Sequence, residues 1–231
     1  MPPLNKPLRP IQSFVRREGR MSSRQQRALD TLWPKYGIDL DGKQINWQQV
    51  FGRDATRIVE IGFGMGQSLL EMAKANADQD FIGVEVYRSG VGSLLADLED
   101  QAVTNVRVFA ADIIEVFEQA IPDASVDRVQ LFFPDPWPKK RHHKRRLLQN
   151  AFVEKVAAKL RPGGVFHMAT DWQDYAKHML TTMSNSPYFS NQAGPGQFAE
   201  RPAYRPLTKY EQRGQALGHG VWDLLFIKKN P

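Results

Sequence analysis

The chain has no cysteine, so neither disulfides nor thiolate metal sites are open to it. No apolar run approaches the roughly 20 residues that a membrane-spanning helix needs. The first 30 residues carry prolines and arginines but lack the apolar stretch of a secretory signal, which predicts a cytoplasmic protein with no membrane contact. Internal repeats are absent. His142 and His143 are adjacent within a cationic run and point different ways on a helix or a strand, so no metal site is expected; His219, between two glycines, reads as a turn residue.

What remains is enough for a substantial core. With 231 residues, 42% of them hydrophobic and 24% charged, one α/β domain with an extension fits better than two full domains. Charge is unevenly spread. Residues 1–30 carry +5 and residues 139–146 carry +6, so with a formal net charge of +6 the remainder of the chain is −5. Two concentrated basic patches on an acidic domain predict a nucleic-acid partner. Residues 1–50 read as a basic arm, partly disordered alone, with a helix from about Ser22 to Leu32, and residues 51–231 as the domain proper. Nothing in the sequence requires a protein partner.

From Arg57 onward, short apolar strands alternate with amphipathic helices, the mark of a mostly parallel, Rossmann-like sheet with helices on both faces. Strands are predicted near 57–61, 81–86, 106–110, 126–133, 165–170 and 222–228, and helices at 67–76, 90–101, 113–120, 147–160 and 172–184. Arg161-Pro162-Gly163-Gly164 is expected to end the fourth helix through a left-handed cap. Residues 185–220 are too long for a plain connection and read as a functional loop with a short strand inside it.

The stretch from Val126 to Arg146 organises the chain. A buried strand ends at Pro134, Pro136 and Pro138, which hold Asp135 and Trp137 in an extended segment where ligands bind in open α/β sheets. The basic run Lys139–Arg146 then leads into a predicted helix. Cations at a helix N-terminus oppose its dipole, so a polyanion explains them better than stability does. Trp137 is a candidate for stacking on an extruded base, or a packing residue.

Gly62, Gly64 and Gly66 close the first strand and open the first helix of the sheet domain, letting a ligand approach main-chain N–H groups. A dinucleotide fingerprint would need glycine where Gln67 stands, so an adenosyl ligand without a pyrophosphate fits better than a nicotinamide cofactor. Glu60, Glu85 and Asp112 fall at the ends of the first three strands. Each has an alternative reading as a helix cap, and Asp171 does too.

Taken together and in this order, the glycine loop, the run FFPDPWPKKRH from Phe132 to His142, Thr170-Asp171-Trp172 and RPLTKYE from Arg205 to Glu211 resemble the bacterial tRNA (guanine-N7)-methyltransferase family. The likeness spans about residues 57–228 and leaves out the arm. Tyr210 stands where Phe would fit equally. The resemblance implies S-adenosylmethionine as donor, held by Glu60, Gly62, Gly64, Gly66, Glu85, Asp112 and Asp135. It implies tRNA as substrate, contacted through Lys139, Asp171, Thr208, Lys209, Tyr210 and Glu211 and through the cations Lys140, Arg141, Lys144, Arg145 and Arg146. The acceptor would be N7 of a guanine in the variable loop. That nitrogen has an in-plane lone pair and loses no proton on methylation, so positioning suffices without a general base, and a fixed carboxylate, Asp135 before Asp171, would favour the charge that develops on the purine. Methylation of an exocyclic amine and a non-catalytic RNA-binding role are the alternatives.

Overall fold

The computed structural model describes Ser13, residues 20–208, Glu211, Gln212 and residues 220–230. β1 (Thr56–Ile61), β2 (Gln79–Val84), β3 (Val106–Phe109), β4 (Val126–Phe132), β5 (Leu160–Thr170), β6 (Phe189–Asn191) and β7 (Trp222–Lys228) form one sheet in the order β3-β2-β1-β4-β5-β7-β6. β1 to β5 pair in parallel, and β7 runs antiparallel to both its neighbours. Winding runs outward from β1 to the β3 edge and restarts at β4 on the other side of β1. The carboxyl ends of β1 and β4 therefore part at a topological switch point, and the loops that follow them open a crevice.

The helices are α1 (Ser23–Tyr36), α2 (Trp47–Phe51), α3 (Gln67–Ala75), α4 (Arg88–Asp100), α5 (Ile113–Gln119), α6 (Asn150–Lys159) and α7 (Gln173–Ser184). Apolar residues of α3, α4 and α1 cover one sheet face, with Ile58, Phe81 and Val108 beneath them. Those of α5, α6 and α7 cover the other, over Val59, Val129 and Phe166. No helix among the described residues is long and apolar enough to cross a membrane.

Three expectations change. The boundary drawn at residue 50 falls inside the packed domain. Ser22 and Gln25 close a reciprocal capping box on α1. Ala28, Leu29 and Tyr36 are buried, Arg24 pairs with Asp97 and Asp100 of α4, and Trp47 joins the core on the opposite face. The basic run does not open α6: Lys140–Arg145 forms a separate 3-10 turn, Arg146 is extended, and α6 starts at Asn150. Nor does a glycine cap end α6. Leu160 is already extended and pairs with Val126, while Gly163, at φ +77°, lies in the irregularity between that pair and Arg128–Val165.

Candidate active site

A cleft of about 250 Å³ lies at the switch point, walled by Gly62, Gly64, Glu85, Asp112, Ile113 and Asp135 among others. Its floor depends on close backbone packing. Gly66 holds φ +84° at the start of α3, and a Cβ there would lie 2.7 Å from Leu94. At Gly90, in the first turn of α4, a Cβ would come 2.1 Å from the carbonyl oxygen of Gly64, so only glycine lets α4 meet the loop.

Glu85 binds this loop from the side. Its Oε2 accepts the Gly64 N–H at 2.9 Å, and its Oε1 accepts those of Val86 and Tyr87 at 2.7 and 3.0 Å. Burial raises its pKa, the three N–H donors pull the other way, and the charge of Asp135 adds to the rise. A carboxylate offers about four acceptor sites, so capacity remains for a ligand hydroxyl. Asp112 is also a cap, accepting the Ile114 N–H at 3.0 Å, while its residue lines the cleft.

Glu60 faces elsewhere. It borders a second cavity, of about 320 Å³, on the α3 side of the glycine loop, together with Phe63, Met65, Arg205 and Thr208; Gly62, Phe132 and Phe133 line both spaces. Burial pushes the Glu60 carboxyl up to about 8 despite the opposing field of Arg128. Among the described residues its Oε2 has no hydrogen-bond partner, nor does Oε1 of Gln130, its cross-strand neighbour. A buried acceptor left open at a cavity wall is the place for a donor group of a ligand.

Beyond β4 the chain bends sharply. Phe133 and Trp137 hold φ of +50° and +45°, conformations that cost non-glycine residues stability and persist only where neighbours enforce them. Phe133 N–H still donates to Ala169, extending the ladder by one bond, and Asp135 emerges exposed at the cleft. The Trp137 indole is engaged: Nε1–H donates to the Ser13 carbonyl at 3.1 Å, and the Arg145 guanidinium sits 4.8 Å above the ring. Lys139, Lys140, Arg141 and Lys144 are exposed just past it.

Arg146 departs from the rest of the run. It is 2% exposed, donates from Nε to the Pro136 carbonyl at 2.9 Å and from Nη2 to Asp174 at 2.5 Å, and lies 4.7 Å over the Tyr175 ring. It ties the proline loop to α7 and is not free to meet a phosphate. Asp171 is exposed at the end of β5. It is not the cap of α7: Trp172 holds that position, with its N–H donating to Thr170 Oγ1 at 3.2 Å.

Of the 208–211 segment, Lys209 and Tyr210 lie outside the described residues. Thr208 lines the second cavity, and its hydroxyl accepts the Glu211 N–H at 3.1 Å. The Glu211 side chain is buried against Arg205, pointing into protein and away from open space. Sequence reasoning passed over the group around it. Arg205 donates to both carboxylates of Glu211 and Asp223 at 2.7–2.8 Å. Asp223 Oδ1 also lies 2.8 Å from His167 Nε2, and His167 Nδ1 lies 2.9 Å from the Tyr204 hydroxyl. Burial lowers the His167 pKa and pushes the Tyr204 phenol up to about 12. The neutral ring then donates from Nε2 to Asp223 and accepts the Tyr204 O–H. Arg205 stood within a quoted motif, but a strand partner 18 residues further on leaves no mark in a sequence.

Known proteins match this chain closely. A family model described as "Putative methyltransferase" matches residues 54–224. A tRNA (guanine-N(7)-)-methyltransferase of Alcanivorax borkumensis is 56% identical over 228 residues, covering 99% of this chain and 95% of that protein. One of Sodalis glossinidius is 58% identical over 221 residues, 96% and 92% of the two chains. Among solved structures, the 16S rRNA methyltransferase KamB superposes with a TM-score of 0.58 at 15% identity, over 80% of this chain and 93% of that one, a likeness of fold.

Proposed function

We propose that this chain, which belongs to the tRNA (guanine-N(7)-)-methyltransferase family, methylates a guanine of the tRNA variable loop at N7 by direct in-line transfer from S-adenosylmethionine. The observation that carries the reading is the convergence at one switch-point cleft of the glycine loop, Glu85, Asp112 and Asp135, with exposed cations beginning four residues after Asp135.

The residues fit that donor. Glu60 offers a buried oxygen that no described residue partners, suited to an ammonium, and Glu85, with three acceptor sites taken by N–H groups, keeps about one for a ribose hydroxyl. Asp112 and Ile113 line the same cleft and would hold the purine. Gly62, Gly64 and Gly66 give the backbone its close approach. When bound, S-adenosylmethionine supplies an activated methyl on a sulfonium.

The protein's own part is positioning. Asp135, on a segment fixed by flanking prolines and by Arg146 on the Pro136 carbonyl, stands where positive charge develops as guanine N7 accepts a methyl. No proton leaves N7, so no base is needed; alignment alone can supply roughly 7 to 11 kcal/mol. Lys139, Lys140, Arg141 and Lys144 contact phosphates, with Arg145 shared between that surface and Trp137. Thr208 forms a rim for the nucleoside, with Asp171, Lys209 and Tyr210 added on sequence grounds. Glu211 supports that rim from beneath, and Arg146 is withdrawn from the RNA contacts. The test is incubation with unmodified tRNA and labelled donor, followed by nucleoside mapping. Label in 7-methylguanosine at one variable-loop position is expected; label on an exocyclic amine, or none, overturns the reading.

A further inference from the structure

Arg205 is 1% exposed, yet its guanidinium meets two carboxylates that are themselves buried, Glu211 at 3% and Asp223 at 3%. Three of its nitrogens make four hydrogen bonds of 2.7–2.8 Å, two to each acid. One acid lies on β7, in the middle of the sheet's antiparallel edge; the other belongs to the segment that begins at Thr208. The same guanidinium lies 5.9 and 5.6 Å from the ring centroids of Phe132 and Phe133, the last residues before Pro134 and Asp135. Asp223 is fixed in turn by His167 on the neighbouring strand. One buried side chain thus joins the sheet, the β4 loop that carries Asp135 and the segment that carries Thr208, and it borders the second cavity.

Energetics say that this clamp is selected for geometry. Replacing a buried ion cluster by apolar residues of similar volume is often neutral or stabilising, so stability alone does not call for one. A planar guanidinium with two forked carboxylates does fix direction and distance at both ends, which an apolar contact would not.

We propose that Arg205 is a positioning residue for methyl transfer: by clamping Glu211 to Asp223 it sets Glu211, and Thr208 whose hydroxyl accepts the Glu211 N–H, against the Asp135 loop, so that Thr208 is in place before tRNA arrives. This rests on the function proposed above. Lysine at 205 keeps the charge but cannot bridge two forks. In the full-length Arg205→Lys protein, kcat/KM for tRNA falls by about tenfold or more, the equivalent of one or two charge-assisted hydrogen bonds. Hydrogen exchange at the amides of Glu211 and Gln212 speeds up, while donor affinity measured by calorimetry changes by less than about threefold. Combining Arg205→Lys with Glu211→Ala costs no more than the worse single change, because both break one unit.

Should Arg205→Lys not fold, Asp223→Asn loosens the same clamp from the sheet side, and the same split between tRNA turnover and donor affinity is expected. Parental kcat/KM in a folded Arg205→Lys protein, a loss that only tracks the fraction unfolded, or additive effects in the double variant would each overturn the proposal. Absence of 7-methylguanosine from the parent protein would instead defeat the underlying function, so the two failures are distinguishable.

Discussion

Asp135 and Arg146 lie eleven positions apart in one charged stretch, and their surroundings are opposite, one exposed and the other buried. Asp135 is exposed at the cleft and contributes nothing to the core. Asp135→Ala is expected to lower turnover by about 10²-fold or more, as when a preorganised electrostatic contact is lost, with the melting temperature unchanged. Arg146→Ala acts on stability first: loss of its bonds to Pro136 and Asp174 should cost about 1.5 to 3 kcal/mol in urea denaturation, and turnover should fall only as far as the Asp135 segment loosens. Glu60 supplies a pH test. Its pKa is about 8 in the fold against 4.5 in the unfolded chain, so the native state holds the extra proton between those values and stability falls as pH rises through that window. Glu60→Gln removes this slope. Without donor, the stability gap between variant and parent should widen from pH 5 to pH 8 by on the order of a few kcal/mol, and an unchanged gap would mean that Glu60 ionises freely.

At the scale of elements, the 3-10 turn Lys140–Arg145 is built as an exposed comb of cations held from behind by Trp137 and Arg146. Replacing Lys140, Arg141 and Lys144 by Ala should flatten the salt dependence of tRNA binding by about 0.7 to 0.9 in log–log slope for each phosphate lost. Arg146→Ala should leave that slope as in the parent. The sequence predicted this turn as a cationic patch because its density of charge needs no tertiary information. It could not separate Arg146 from its neighbours, because burial of one guanidinium depends on α7, 28 residues on. Strands β1 and β2 were legible as short apolar runs alternating with amphipathic helices, and β4 as a buried strand. The tie of α1 to the domain was not: its buried set is only Ala28, Leu29 and Tyr36, too narrow a stripe to read as an apolar face, and its ion pairs with α4 fall on acids 64 to 76 positions away.

Across the whole molecule, chain order alone puts the site together. A sheet that starts at its centre and restarts beside the same strand opens one crevice, and the glycine loop, Glu85, Asp112 and the proline loop all reach it from strand ends. That part of the site was readable, since strand ends and loop composition are local. The second cavity and the Arg205 clamp were not, because they depend on β7 returning antiparallel beside β5. If this crevice delivers a methyl group to an unprotonated ring nitrogen, transfer depends on N7 itself. The most direct test uses a tRNA transcript in which 7-deazaguanosine replaces guanosine, keeping the base-pairing face and removing only the N7 acceptor. This transcript is expected to bind with affinity near that of the ordinary one and to accept no labelled methyl. Transfer of label to the 7-deaza transcript at a rate near that of the guanosine transcript would contradict it.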